Sequence, residues 1–344
     1  MLNLQTTTMD FLFSVPNYVA AAVSTVGVIG GAYYAYRLYQ EKKNRLPDQW
    51  THVGHLKRLY VYPIKSCAPV ILNQGECTTL GMRDGWLRDR VLMIVDAKTN
   101  NFVTARAYPE LLKIQPSFDR ALLTLQNPSM EPIHINLAEV MVVQEPIQAT
   151  VWSAPVPVYD CGDEVNEWIT KFLDRPDMSF RLVYYASNES RPLVGMPKIF
   201  KFRKTDTGIF PDETSFNIIN EASVDDLNKR LKGVQVTENN FRPNFLLSGA
   251  VAYDEDKWKY VKVGANIFEV IKPCTRCVLT TIDPETGMRD KNLEPLETLR
   301  SYRLDEDPAI RKATGTSPRM GIQMALRSSS GGTVSLDDPI YVSY

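Results

Sequence analysis

Two thiols flank a guanidinium in the run Pro273-Cys274-Thr275-Arg276-Cys277-Val278-Leu279-Thr280-Thr281. A thiolate is the softest strong ligand a protein offers, and a neighbouring Arg both favours the thiolate and presents a planar fork for phosphate. The run therefore suits a soft metal held together with an anionic cofactor. Three other readings compete. Structural zinc takes four Cys or His ligands, usually with a second CxxC or an HxxxH pair. Here the other cysteines are the scattered Cys67, Cys77 and Cys161, and the histidines are His52, His55 and His134. A thioredoxin-like pair belongs near a helix start, early in a βαβ unit. This one comes late in the chain, before Val278-Leu279-Thr280-Thr281-Ile282, whose composition predicts a strand. Two buried, inert cysteines are the third reading.

Four further clusters could serve a cofactor. Tyr62-Pro63-Ile64-Lys65-Ser66-Cys67 sets an ammonium and a hydroxyl just past a strand, where backbone N–H groups can also meet a phosphate. Trp86-Leu87-Arg88-Asp89-Arg90 leads into an apolar strand, Thr104-Ala105-Arg106 adds a guanidinium, and Asn240-Phe241-Arg242-Pro243-Asn244 joins a guanidinium to amides. Each has an ordinary alternative: a solvated strand end, a surface charge cluster worth little in stability, or a turn. Their sum suits a phosphate-bearing ring system. The chain has no GxGxxG after a strand, no GxxxxGK[ST] and no GxSxG, so nucleotide and hydrolase readings lose their usual support. With His134 the only histidine well inside the chain, His-based acid–base catalysis is excluded as well.

The elements that must carry these residues are short strands broken by turns. Leu59-Tyr60-Val61-Tyr62 stops at Pro63, and Val91-Leu92-Met93-Ile94-Val95 stops at Asp96. Val165, Trp168, Ile169, Phe172 and Leu173 put one apolar face on a helix opened by Gly162-Asp163-Glu164. A second unit starts after Arg191-Pro192. Ser223 with Asp226 reads as a capping-box-like helix start, followed by Leu227 and Leu231. Strands at Phe245-Leu246-Leu247 and Ile267-Phe268-Glu269-Val270-Ile271 lead into the cysteine run, and Gly287 supplies a positive φ to the turn Asp283-Pro284-Glu285-Thr286-Gly287. Several strands around few helices predict a mixed α+β fold with a barrel-like sheet.

At 344 residues, 44% hydrophobic and 23% charged, the chain is globular, with a length suited to about two domains. A net charge of -1 argues against a nucleic-acid binder. Five unevenly spaced cysteines form no disulfide framework and indicate a reducing compartment. Phe11 to Tyr36 carries no charge, and 26 residues at helical rise span a bilayer core of about 30 Å. A membrane anchor is therefore expected over 11–36, after a tail over 1–10. Met1 to Asp10 lacks the Lys or Arg of a signal peptide, whereas Arg37, Lys42, Lys43 and Arg45 follow the apolar stretch. That charge order places the bulk of the protein in the cytosol. Gly27 and Gly31 form a small-xxx-small pair. A linker is expected over 37–54, an N-terminal domain over 55–190 and a catalytic domain over 191–344.

In combination and order, the Tyr62–Cys67 run, Leu87-Arg88-Asp89-Arg90, Val103-Thr104-Ala105-Arg106, Asp160-Cys161-Gly162, Asn240–Asn244, Cys274–Cys277 and Pro295-Leu296-Glu297-Thr298-Leu299 resemble the MOSC family and its membrane-anchored, amidoxime-reducing branch. The resemblance covers about Leu56 to Tyr341. It implies a barrel-like catalytic domain beside a smaller α/β N-terminal domain, and a molybdenum cofactor whose metal is held by a pterin dithiolene and by Cys277. Cys274 then becomes structural. Lys65, Ser66, Arg90, Arg242, Asn244 and Thr275 are implied to hold the pterin and its phosphate. The Asp212 to Ser215 segment, with Thr214 and Ser215 as cofactor contacts and Asp212 as a catalytic residue, is expected over the metal.

The implied activity is reduction of N-hydroxylated compounds such as amidoximes, hydroxylamines and N-oxides, by oxygen-atom transfer. Electrons would come from NADH through cytochrome b5 reductase and cytochrome b5, at the mitochondrial outer membrane, with the catalytic domain in the cytosol. The rival is a cofactor-binding or sulfur-carrier protein related to molybdenum cofactor sulfurases, against which stand the anchor and the lack of an aminotransferase-like domain. A third reading, a purely structural membrane adaptor, gives no use to a thiol among phosphate-suited side chains.

Overall fold

The computed structural model describes residues 30–38 and 45–344, which fall into two units, 1–48 and 49–344. In the first unit residues 30–38 are helical and exposed, and Arg45 pairs with Asp48 at 2.7 Å. Among the described residues no helix is long and apolar enough to cross a membrane. The tail over 1–10, most of the expected anchor over 11–36, and Lys42 and Lys43 lie outside the described residues.

The second unit is built around an eight-stranded sheet that closes on itself. From Phe245–Ser248 the order runs through Phe216–Asn220, Arg319–Leu326, Asn266–Thr275, Tyr260–Val263 and Pro339–Ser343 to Thr51–Val61, with Val70–Leu72 appended. Thr51–Val61 also pairs with Phe245–Ser248, His55 opposite Ser248 and Leu59 opposite Phe245, which completes a ring of seven strands. The seam is tight at Gly54, where a Cβ would lie 2.0 Å from the Ser248 carbonyl oxygen, so no other residue fits without moving backbone. The one parallel pair in the ring, Phe216–Asn220 with Phe245–Ser248, is joined through the helix Glu221–Arg230. Inside the ring, Phe216, Phe245 and Phe268 pack with centroids 4.9 to 5.7 Å apart, and none is exposed to solvent. Rings at these separations add aromatic geometry to their burial energy.

A second core lies between the barrel's two contributions to the sequence. Four antiparallel strands, Ile147–Val151, Ala154–Asp160, Phe180–Tyr185 and Leu92–Asp96, pack against the helix Asp163–Leu173 and a meander of Gln115–Asp119, Leu122–Asn127 and Met130–Asn136. The helix buries Val165, Trp168, Ile169 and Leu173, as its spacing predicts. The mixed α+β class with a barrel-like sheet therefore holds.

Several local expectations are corrected. The linker's last residues are ladder: the first barrel strand begins at Thr51. Because that strand and Val70–Leu72 join the large sheet, the residue 190/191 boundary separates stretches of chain but not sheets. Val278–Thr281 is a 3-10 turn, not a strand, since the Thr280 and Thr281 hydroxyls bond back to Cys277 O and Val278 O at 2.9 and 2.7 Å. Ser223 is not a cap. The helix starts at Glu221, Asn220 caps it by accepting from the Ala222 amide, and the buried Ser223 hydroxyl donates to Glu255 at 2.8 Å. Gly287 does take the left-handed turn position, φ 69°. All five cysteines are free.

Candidate functional site

Nine separate stretches of the chain converge on one cavity of about 400 Å³. Lys65 and Ser66 arrive where the chain leaves Thr51–Val61, in a segment stitched to the next arginine cluster. The Tyr62 amide donates to Asp89 Oδ1 at 2.9 Å, and the Arg90 and Lys65 amides donate to Tyr62 O and Leu92 O at 2.7 and 2.8 Å. Arg242 and Asn244 sit just before the strand Phe245–Ser248, and Thr275 and Cys277 follow the end of the strand Asn266–Thr275. Lys65, Ser66, Arg90, Asp212, Thr214, Arg242, Asn244, Thr275 and Cys277 all line the cavity. Ser215 does not: its buried hydroxyl donates to Thr79 O at 2.9 Å and Asp206 O at 3.2 Å, which ties the preceding loop down.

One end is a basic pocket. The guanidiniums of Arg90 and Arg242 lie 4.7 and 4.2 Å from the ring centre of the buried Tyr62. Arg90 is committed to Asp89 at 2.5 Å and to Arg242 O at 3.2 Å, whereas Arg242 Nη2 is buried with no partner. Burial lowers the Arg242 pKa to about 10. Two more lining residues have unpartnered buried acceptors, Asn217 Oδ1 and Gln323 Oε1. A buried polar group without a partner costs about 1–3 kcal/mol, so three in the lining of one cavity call for a ligand rich in donors and carrying an anion. Backbone strain marks the same lining: Ser66, Arg90 and Arg242 have φ of 73°, 49° and 53°. Non-glycine residues held there concentrate at functional sites.

The other end carries the thiols. Cys277 is half-buried at the head of the 3-10 turn, while Cys274 is buried and receives Gln323 Nε2 at 3.6 Å. Arg276, expected as the phosphate fork, is mostly committed to backbone: its three nitrogens donate to Met320 O and Phe241 O, which takes three of the five N–H groups a guanidinium offers. The guanidinium charge close to Cys277 is instead that of Arg106, which donates to Asp212 Oδ2 at 2.5 Å.

Asp212 is the hub of the mouth. It also takes Lys65, and Trp152 Nε1 at 3.2 Å. Burial opposes its charge, but Lys65 and Arg106 outweigh that and hold the carboxyl well below the usual range. Burial draws the Lys65 ammonium down to about 8, against Asp212. The next residue, Glu213, turns the other way and accepts Lys272 at 2.6 and 2.7 Å. Arg191 is wholly buried with no carboxylate on its guanidinium. It donates to Ile209 O at 3.1 Å, Pro211 O at 2.7 Å and Asp212 O at 3.4 Å, clamping the loop that carries the hub. Sequence reasoning missed Trp152, Arg191, Asn217 and Gln323 as site residues, because nothing local marks their approach to the cysteines.

Comparison with known proteins comes last. Residues 53–176 match the MOSC N-terminal beta barrel domain, and residues 205–341 match the MOSC domain. The chain is 35% identical over 322 residues to a Homo sapiens protein named mitochondrial amidoxime-reducing component 1, spanning 94% of this chain and 92% of that one. It is 33% identical over 333 residues to mitochondrial amidoxime reducing component 2 of Bos taurus, spanning 95% and 93%. Among solved structures, the YUAD protein from Bacillus subtilis covers 86% of this chain and 100% of its own at 11% identity and a TM-score of 0.35, a likeness that carries no argument.

Proposed function

This chain belongs to the MOSC family, and from that premise we propose that it is a molybdenum cofactor-dependent reductase of N-hydroxylated compounds. The observation that carries the reading is a single cavity lined both by Cys277 and by Arg242, which keeps a buried, unpartnered N–H. The donor set fits the group. Cys277 would hold the metal, Arg242, Arg90 and Ser66 suit the phosphate, Lys65 is committed to Asp212 at the mouth, and Asn217, Gln323, Asn244, Thr275 and Thr214 border the space for a polar ring. When bound, the cofactor supplies two-electron redox chemistry. Cys274, buried and bonded to Gln323, is left a packing role.

Reduction of an amidoxime breaks its N–O bond, consumes two electrons and two protons, and releases water with the amidine. Asp212 is ionised at neutral pH and cannot be the proton source. It orients Lys65 and Arg106. Lys65, with its pKa near 8, holds a proton at neutral pH and can pass it from Nζ to the departing oxygen. Arg106, held by that same carboxylate, sets a positive charge near Cys277.

The electrons would be supplied by NADH through cytochrome b5 reductase and cytochrome b5. A single-pass anchor over 11–36 in the mitochondrial outer membrane, with the catalytic unit in the cytosol, would raise the effective concentration of such membrane-bound partners. Metal analysis of the purified protein, with and without Cys277→Ser, tests the cofactor: molybdenum in the parent and loss in the variant are expected, and equal contents would reject the ligand. Reconstituted reduction of benzamidoxime then tests the activity. Loading without turnover would make the chain a cofactor carrier. Protease added to intact mitochondria should remove the catalytic unit, and full protection would reject the topology.

A further inference from the structure

The cationic and polar groups do not account for all of the cavity's lining. Leu193, Val194 and Met196, on the irregular stretch that follows the Arg191 clamp, line it too, and Trp152 borders it from the hairpin between Ile147–Val151 and Ala154–Asp160. Val194 is 51% exposed and Trp152 38%, so neither is consumed by a core. Trp152 is nonetheless fixed. Its backbone is left-handed at φ 48°, its ring meets Phe102 at 4.8 Å, and its N–H is held by Asp212 at 3.2 Å. The Arg106 guanidinium also lies 5.0 Å from the ring centre, so the indole is restrained by Phe102, Asp212 and Arg106, and its remaining exposed surface is what it can offer a ligand in the cavity it lines.

We propose that Trp152 and Val194 are the residues that select substrates, by receiving a flat, uncharged aryl or alkyl group attached to the N-hydroxylated carbon. This rests on the reductase reading above and names what that site prefers. The hub fixes the wall: Asp212 holds Lys65, Arg106 and the indole N–H together, with Arg106 5.0 Å from the indole ring centre. A methyl substituent is too small to reach both side chains, and a carboxylate substituent would leave water for an apolar wall. An apolar contact of this size discriminates through binding, so it moves KM more than kcat.

The test compares benzamidoxime with acetamidoxime in the full-length, cofactor-loaded protein, using Val194→Ser, Trp152→Leu and Trp152→Phe. The ratio of kcat/KM for the aryl over the methyl substrate is expected to fall roughly 3- to 10-fold in Val194→Ser and in Trp152→Leu. Trp152→Phe should keep most of it. Calorimetric titration with the product benzamidine provides a readout independent of turnover, with weaker binding expected in Trp152→Leu. An unchanged ratio, or equal losses for both substrates, overturns the proposal. If the parent turns over neither substrate, the reductase reading fails on its own; benzamidine binding then decides, and equal affinity in parent and Trp152→Leu overturns the wall.

Discussion

The two sides of the cavity are held in different ways. On the barrel side, Lys65, Arg242, Thr275 and Cys277 stand at strand ends, so ladder hydrogen bonds and a phenylalanine-packed interior fix their positions. On the facing side, residues 186–215 contain no helix or strand, and buried charges do the fixing. Arg191 grips three carbonyls, Lys272 holds Glu213, and Asp206, unexposed, is paired with Arg327 at 2.6 and 2.9 Å. Regular structure satisfies its own backbone; an irregular segment that must be equally still takes its partners from side chains.

That contrast can be broken from either side. The largest effect belongs to Cys277→Ser on the strand side: molybdenum should fall to background by elemental analysis while denaturant stability changes by less than about 1 kcal/mol, as expected for an isosteric change at a half-buried site. Cys274→Ser should keep its metal. Next comes Arg327→Met, which leaves the Asp206 carboxylate buried without its partner and should cost about 3–5 kcal/mol in denaturant unfolding. New proteolytic cuts within 186–215 should accompany it. If the cuts fall in the barrel instead, the clamps do not belong to the irregular side.

A smaller effect is a pH dependence on the barrel side. Burial pushes the Glu255 carboxyl from 4.5 up to about 7, against the bonds it accepts from Ser223 and Asn220. The folded protein then keeps a proton that the unfolded chain releases, so stability is full below about 4.5 and falls as pH rises toward 7. The loss is at most about 3 kcal/mol, and Glu255→Gln should flatten it in chemical denaturation at stepped pH. The smallest change is Arg191→Lys, which keeps the charge but loses the fork. It should cost about 1–2 kcal/mol and raise KM for the aryl substrate.

The same contrast explains what could be read from residues alone. The helix Asp163–Leu173 and the strands near the cysteines announce themselves through local spacing, and the cofactor clusters are strand-edge runs whose residue types are visible in order. Arg276 and Arg106 show the limit. Adjacency favoured Arg276 as the neighbour of the thiols, but chain geometry turns its fork toward Met320 and Phe241 and brings Arg106 across from the other core. Trp152 and Arg191 were silent for the same reason, as their partners are 60 and about 20 residues away. The strand expected at Val278–Ile282 failed because threonine hydroxyls closed a turn that composition cannot foresee.

One consequence follows from the way the barrel closes. Its seam joins Thr51–Val61 to both Phe245–Ser248 and Pro339–Ser343, so the earliest and latest ladder strands are neighbours. During synthesis, most of the second core, from Ile64 to Phe210, emerges before the last barrel strands, although Ile282 joins it later. The ring cannot close until Pro339–Ser343 has emerged. Any cofactor that needs the finished cavity would then be loaded after translation, and a ribosome that stalls before Pro339–Ser343 would release a chain whose ring is still open.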